Sequence, residues 1–242
     1  MNAHPHPRRR MAAPLAALLL LAVHAGGGAL HAQPTREDPV DLQGWAGARL
    51  AIDLPRQWVT TVEYQVRSQD NASAWRGSYL TAGAEKGMGR HWTLEGNVRL
   101  ARVEARTYER IAGGGTWDAS VRKVKVSVRT LAQFQRQNFA GNDETSSDTD
   151  TFIRTRLQLR RPLTRWLRGY LSTEPFLAPG ADYLVDNWRN TVGTEWDLGK
   201  GRALDLYYLY RPDYGKRSYN RTFHVIGAQL ELEWKPRRRT AR

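Results

Sequence analysis

The chain has 242 residues, no cysteine, nine tryptophans and ten tyrosines, and a formal net charge of +13. The length suits one domain or a single large β structure, and the lack of cysteine excludes disulfides, thiolate metal sites, a cysteine nucleophile and a bacterial lipid anchor on cysteine. The first 32 residues hold three arginines and the tail KPRRRTAR five basic residues, neither with an acid, so the body carries only +5 and no nucleic-acid partner is expected.

The N-terminus is ordered like an address. MNAHPHPRRR is basic, MAAPLAALLLLAV is apolar, and AGGGALHA supplies small residues before a cleavage expected after Ala32. A buried helix opening a cytoplasmic domain is the alternative. The apolar run is shorter than the ~20 residues of a spanning helix, and no later stretch reaches that length. The expected organisation is a signal peptide at 1–32, a lead-in at 33–44, a β-barrel domain at 45–234 and a basic tail at 235–242. The expected location is the outer membrane of a Gram-negative bacterium.

From residue 45 onward, period-two alternation replaces helical periodicity. Strands are predicted at 45–54, 58–67, 75–86, 92–104, 108–119, 123–137, 151–161, 166–176, 187–198, 203–211 and 222–234. In HWTLEGNVRL, Trp92, Leu94, Val98 and Leu100 oppose Glu95, Asn97 and Arg99. In KVKVSVRTLAQF, Val124, Val126, Val128, Ala132 and Phe134 oppose Lys125, Ser127, Arg129 and Gln133. FIRTRLQLRR sets Ile153, Leu157 and Leu159 against Arg154, Arg156, Gln158 and Arg160. NWRNTVGTEWDL, ALDLYYLY and TFHVIGAQLELEW follow the same rule.

The breaks PRQ, KGMGRH, SVRK, PLTR and LGKGR are short, whereas RSQDNASA, NFAGNDETSSDTD, LAPGADYLVDN and DYGKRSYNRT are longer and polar. One rim of tight turns and one of loops is the asymmetry of an outer-membrane barrel. Trp58, Trp92, Trp117, Trp166, Trp196 and Trp234 fall at the short-turn rim, where indole is expected at a membrane interface. Trp45, Trp75 and Trp188 are expected toward the other rim. Strands in lipid must close, because an open edge would leave unpaired backbone groups. The predicted fold is therefore all-β: a single antiparallel up-and-down transmembrane β-barrel. Eleven segments are read, but bacterial single-chain barrels usually have an even number. Dropping the Gly-rich 108–119, or adding a strand near DLQGW, would restore parity, so the expectation is ten to twelve strands.

In order and spacing these pieces resemble the domain of unknown function 2490 family of bacterial outer-membrane β-barrel proteins. GWAGARLAIDLPRQWVTTVEYQVR resembles its opening hairpin, and TYERIAGGG and FIRTRLQLRRPL its Arg-bearing strands. YLSTEPFL, with Glu174, resembles its acidic strand. NWRNTVGTEWDL with LDLYYLYRPD resembles the penultimate pair, and HVIGAQLELEW the closing strand. The resemblance covers nearly all of 42–234. It implies fold and location and adds almost nothing about chemistry.

Alternation sends one set of charges inward. Glu63, Glu85, Glu95, Glu174, Glu195, Glu231 and Glu233 share the predicted lumen with Arg49, Arg67, Arg99, Arg129, Arg154, Arg156, Arg160, Arg168 and Arg189. Confined charges are costly unless paired. Arg154, Arg156, Arg160, Glu63, Glu95, Glu174 and Glu195 therefore read as a salt-bridge network filling a small barrel, or else as a charged pore or ligand site with Arg154, Arg156 and Arg160 facing anions. The role expected is structural, or binding or passage of a small solute, without enzymatic activity, cofactor or metal. One alternative is a lipid-modifying hydrolase built on His224 with a serine such as Ser218. The other is a soluble periplasmic barrel with an internal ligand. His91 falls in a turn. The loop acids Asp143, Glu144, Asp148 and Asp150 fit an EF-hand poorly, and GGG at 113–115 opens no helix and so is no phosphate loop. Expected partners are outer-membrane lipids and the barrel-assembly machinery.

Overall fold

Residues 40–103, 106–138, 149–180, 184–214 and 221–236 are described by a computed structural model. The chain divides into Met1–Glu37 and Asp38–Arg242, and every described residue belongs to the second unit. The expected signal peptide, the acids Asp143, Glu144 and Asp148, Ser218 and the end of the basic tail lie outside the described residues.

The strands follow one another in chain order: β1 (Val40–Leu54), β2 (Trp58–Gln69), β3 (Ala74–Met88), β4 (Trp92–Val103), β5 (Arg106–Val121), β6 (Val124–Asn138), β7 (Thr149–Pro162), β8 (Leu167–Leu177), β9 (Val185–Gly199), β10 (Arg202–Asp213) and β11 (Arg221–Trp234). Each pairs with its sequence neighbours, and β1 pairs with β11 to close a barrel. Consecutive strands are antiparallel. The closing pair is parallel, in register from Val40 opposite Thr222 to Ile52 opposite Trp234. This follows from the odd count: β1 and β11 both run from the loop rim to the turn rim. Neither device for restoring parity is used. The region near DLQGW extends β1, which starts at Val40 rather than at 45, and the Gly-rich segment is a full strand.

That segment survives its glycines because close strand approach requires one of them. A Cβ on Gly114 would collide with the backbone of Thr130 and Leu131 on β6. Glycine weakens a strand where it only removes a side chain; here it admits a neighbouring backbone.

The rims differ less than the break lengths imply. Asp70–Ser73 form a tight turn between β2 and β3, with Asp70, Asn71 and Ala72 at positive φ. Residues 70–73 are thus a turn where a longer loop is expected from RSQDNASA. The turn is anchored on β1: the Asn71 amide donates to Asp41 Oδ1 at 2.8 Å and the Ala72 amide to the Leu42 carbonyl at 2.8 Å.

Alternation sorts the side chains by face. Outward positions carry exposed apolar groups, among them Val62, Leu80, Val98, Leu100, Ile111, Leu157, Leu171, Val192 and Ile226. Inward positions carry most of the charge. The aromatic end of the pattern is equally sorted. Trp58, Trp92, Trp166 and Trp234 are exposed at the turn rim, Trp92 lies opposite Trp117 across β4 and β5, and the rings of Trp166 and Trp196 are 5.1 Å apart. Trp75 and Trp188 are exposed toward the loop rim. Trp45 corrects the expectation. It is 6% exposed and points into the barrel, because its position on β1 shares the face of Gln43 and Arg49 rather than that of Leu42 and Leu50.

Candidate functional site

Among the described residues, two cavities lie within the lumen. The larger, about 560 Å³, reaches from the turn rim to mid-barrel, and Arg154, Arg156, Arg160, Glu63, Glu95, Glu174 and Glu195 all line it. The smaller, about 250 Å³, lies toward the loop rim. The residues common to both linings are Arg67, Arg99, Arg110 and Arg189.

The network of the larger cavity is built across strands. Glu174 on β8 is buried and accepts from Arg154 of β7 at both Nη2, 2.9 Å, and Nε, 3.2 Å. Arg129 of β6 reaches the same carboxylate at 3.2 Å and Glu95 at 3.7 Å. Arg154 Nη1 also donates to Gln133 Oε1 at 2.8 Å, and its guanidinium lies over the Phe176 ring. Nearer the turn rim, Arg49 bridges Glu85 and Glu231 at 2.9 and 3.5 Å. Glu195 holds Arg160 at 3.4 Å together with Arg168. Two of the three residues in the expected anion-facing ladder, Arg154 and Arg160, are thus committed to carboxylates. Glu233, expected inward, is exposed at the rim, where Lys235 meets it at 2.9 Å.

Aromatic residues and glycines alternate along one inward row. Tyr170 on β8 lies opposite Gly193, Gly193 opposite Tyr207, Tyr207 opposite Gly227, and Gly227 opposite Trp45. The Tyr170 ring covers Gly193 and the Tyr207 ring covers Gly227 so closely that a methyl group at either glycine would overlap the ring. Tyr170 reaches across β9 to donate to Asp205 on β10 at 3.0 Å. At the end of the row the Arg67 guanidinium sits between Trp45, 3.7 Å from the ring centroid, and Tyr79, 4.0 Å.

The four arginines between the cavities differ from the rest. Arg99 pairs with Glu63 at 3.3 Å and donates to Thr81 at 2.7 Å. Arg67 donates to Gln65 at 2.8 Å and Arg110 to Asn97 at 3.0 Å, both neutral acceptors. Arg189 stacks over Phe176 at 4.3 Å. Among the described residues, Arg67, Arg110 and Arg189 have no carboxylate within ion-pair distance, and Nε of Arg110 and of Arg189 is buried without an acceptor. Arg110 escapes a reading of sequence alone because the triple glycine masks the alternation of β5. Its phase is recoverable from Tyr108, Ala112 and Thr116 on the same inward face.

His224 lies on the outer face of β11, where its Nδ1 meets the Tyr208 hydroxyl at 2.5 Å and its ring lies 5.7 Å from that of Tyr210. His91 Nδ1 meets the Asp118 carbonyl at 2.8 Å in the β3–β4 turn. Among the described residues no group of three His, Cys, Asp or Glu has the geometry to hold a metal ion.

A closed β-barrel, apolar outside and lined by an arginine–carboxylate network inside, is the class of protein these residues build. Within that class, the chain belongs to the family described as protein of unknown function, DUF2490, whose model matches residues 42–221. A search of curated proteins finds no match.

Proposed function

We propose that the protein is an integral outer-membrane β-barrel without enzymatic activity, whose lumen binds or slowly passes a small solute. The observation that carries this reading is the inversion of the barrel. A water-soluble barrel encloses its apolar residues, whereas here Val98, Leu100, Ile111 and Ile226 are each more than half exposed outside while Glu174 and Arg154 are buried inside. Contiguous apolar surface on this scale marks contact with lipid or another apolar partner. A band flanked by tryptophans fits the hydrocarbon and interface zones of a bilayer. The two cavities support a binding role over a purely structural one. The four arginines at the level between them support slow passage rather than free diffusion.

The test is depth-dependent. Val98 sits in the middle of β4 on the outer face. Val98→Arg costs about 2–4 kcal/mol of folding stability in bilayers if that face meets the hydrocarbon midplane. It is neutral within about 0.5 kcal/mol if the face meets water. Urea unfolding of wild type and variant in phospholipid vesicles distinguishes the two. The competing hydrolase is tested by His224→Ala: loss of a measured lipid-hydrolysis activity would replace the binding role with catalysis.

A further inference from the structure

Among the described residues, the lumen contains more positive charge than its carboxylates neutralise, and the excess is concentrated at one level. Arg67, Arg110 and Arg189 come from β2, β5 and β9, strands distant along the sheet, yet all line both cavities. The guanidiniums of Arg67, Arg99, Arg154 and Arg189 all lie close enough to act on that of Arg110. Elsewhere in the lumen arginines are answered by Glu85, Glu95, Glu174, Glu195 and Glu231. Arg156 also lacks a direct partner and, like Arg189, stands in the field of Glu174 as well as of neighbouring arginines, but it lines only the larger cavity. The smaller cavity has six arginines in its lining against two aspartates. One of these, Asp213, is held by Arg211 at 2.8 Å.

A cluster of confined like charges is costly unless something of opposite charge joins it. The collar is also preorganised. Arg67 is held between two rings, Arg99 is fixed by Glu63 and Thr81, and the Arg189 guanidinium lies over the Phe176 ring. A guanidinium held in place presents a rigid fork of donors that matches the oxygens of a carboxylate or phosphate.

Resting on the barrel reading above, we infer that the collar of Arg67, Arg99, Arg110 and Arg189 is a binding site for a small oxyanion, the phosphate or carboxylate group of a solute entering from the loop rim. Arg110 and Arg189 supply Nε donors that no acceptor among the described residues uses. Arg67 adds charge from the opposite wall, and Arg99 keeps its partner Glu63 and serves to position the site.

The test uses the full chain expressed and purified from membranes, with thermal unfolding followed by loss of the compact electrophoretic form. Inorganic phosphate and succinate are titrated separately at constant ionic strength, with chloride as the reference anion. The expected result is an upward, saturable shift of the midpoint with one or both oxyanions. Phosphate alone identifies a phosphate site and succinate alone a carboxylate site. Arg110→Gln and Arg189→Gln each weaken the apparent affinity by about 10- to 100-fold, the scale of a lost charge-assisted hydrogen bond. Arg168→Gln, at the turn rim, leaves it unchanged. In chloride alone, Arg110→Gln unfolds at or above the wild-type temperature, because a repelling charge has gone. This separates a lost ligand from a damaged fold. No shift with either oxyanion beyond that with chloride, or an equal shift in the Arg110→Gln/Arg189→Gln double variant, overturns the site while leaving the membrane barrel standing. If the chain folds as a soluble barrel instead, the same titration still decides the collar.

Discussion

At the scale of single residues, the lumen separates charges that stabilise from charges that wait for a partner. Glu174 takes three donor contacts from Arg154 and Arg129 at 3.2 Å or less and is buried. Glu174→Gln leaves Arg154 buried without its carboxylate, so a loss of about 3–5 kcal/mol is expected in urea unfolding. Glu63→Gln removes one contact of 3.3 Å between less buried groups, and a smaller loss of about 1–3 kcal/mol is expected. The glycines of the aromatic row give a steric counterpart. Gly227→Ala forces a methyl into the Tyr207 ring and is expected to cost about 1–3 kcal/mol, as overpacking does. The same substitution in a Tyr207→Ala background should cost less than half as much. Neither consequence is legible in the sequence. Alternation places Glu174, Arg154 and Tyr207 inside, but which partner each meets depends on strand register, which no local pattern encodes.

At the scale of elements, the sequence is most informative where one face must be apolar. β4, β6, β7 and β11 alternate over most of their length, and their predicted ranges match the strands closely. The failures have separate causes. β1 begins early because Val40 and Leu42 outward and Asp41 and Gln43 inward continue its alternation, and Trp45 takes the inward phase of Gln43. The 70–73 turn reads as a loop because its polar residues are also those that tolerate positive φ. Eleven strands are countable in the sequence, but the pairing that closes an odd number is a global property. It is testable directly in a chain without native cysteine. Ala46 on β1 and Ala228 on β11 are register partners on the outer face. An Ala46→Cys/Ala228→Cys variant should form a disulfide under mild oxidation, read as altered migration without reductant. Ala46→Cys/Leu206→Cys, which spans an intervening strand, should not. Absence of the first cross-link would reject the parallel seam.

At the scale of the whole molecule, the odd count sets the ends of the barrel apart: Val40 opens β1 at the loop rim and Trp234 closes β11 at the turn rim. In an outer membrane with turns facing the periplasm, an epitope tag before Val40 and one after Pro236 are expected on opposite sides. Antibody labelling of intact cells should reach only the first. The apolar exterior, and with it the proposed membrane role, presupposes that lipid is the solvent of the outer face. The most direct measurement is therefore folding of the purified, urea-unfolded chain after dilution into buffer with and without phospholipid vesicles, read by heat-modifiable migration. A compact, heat-modifiable form is expected only when vesicles are present. A compact, β-rich monomer in lipid-free buffer would contradict it.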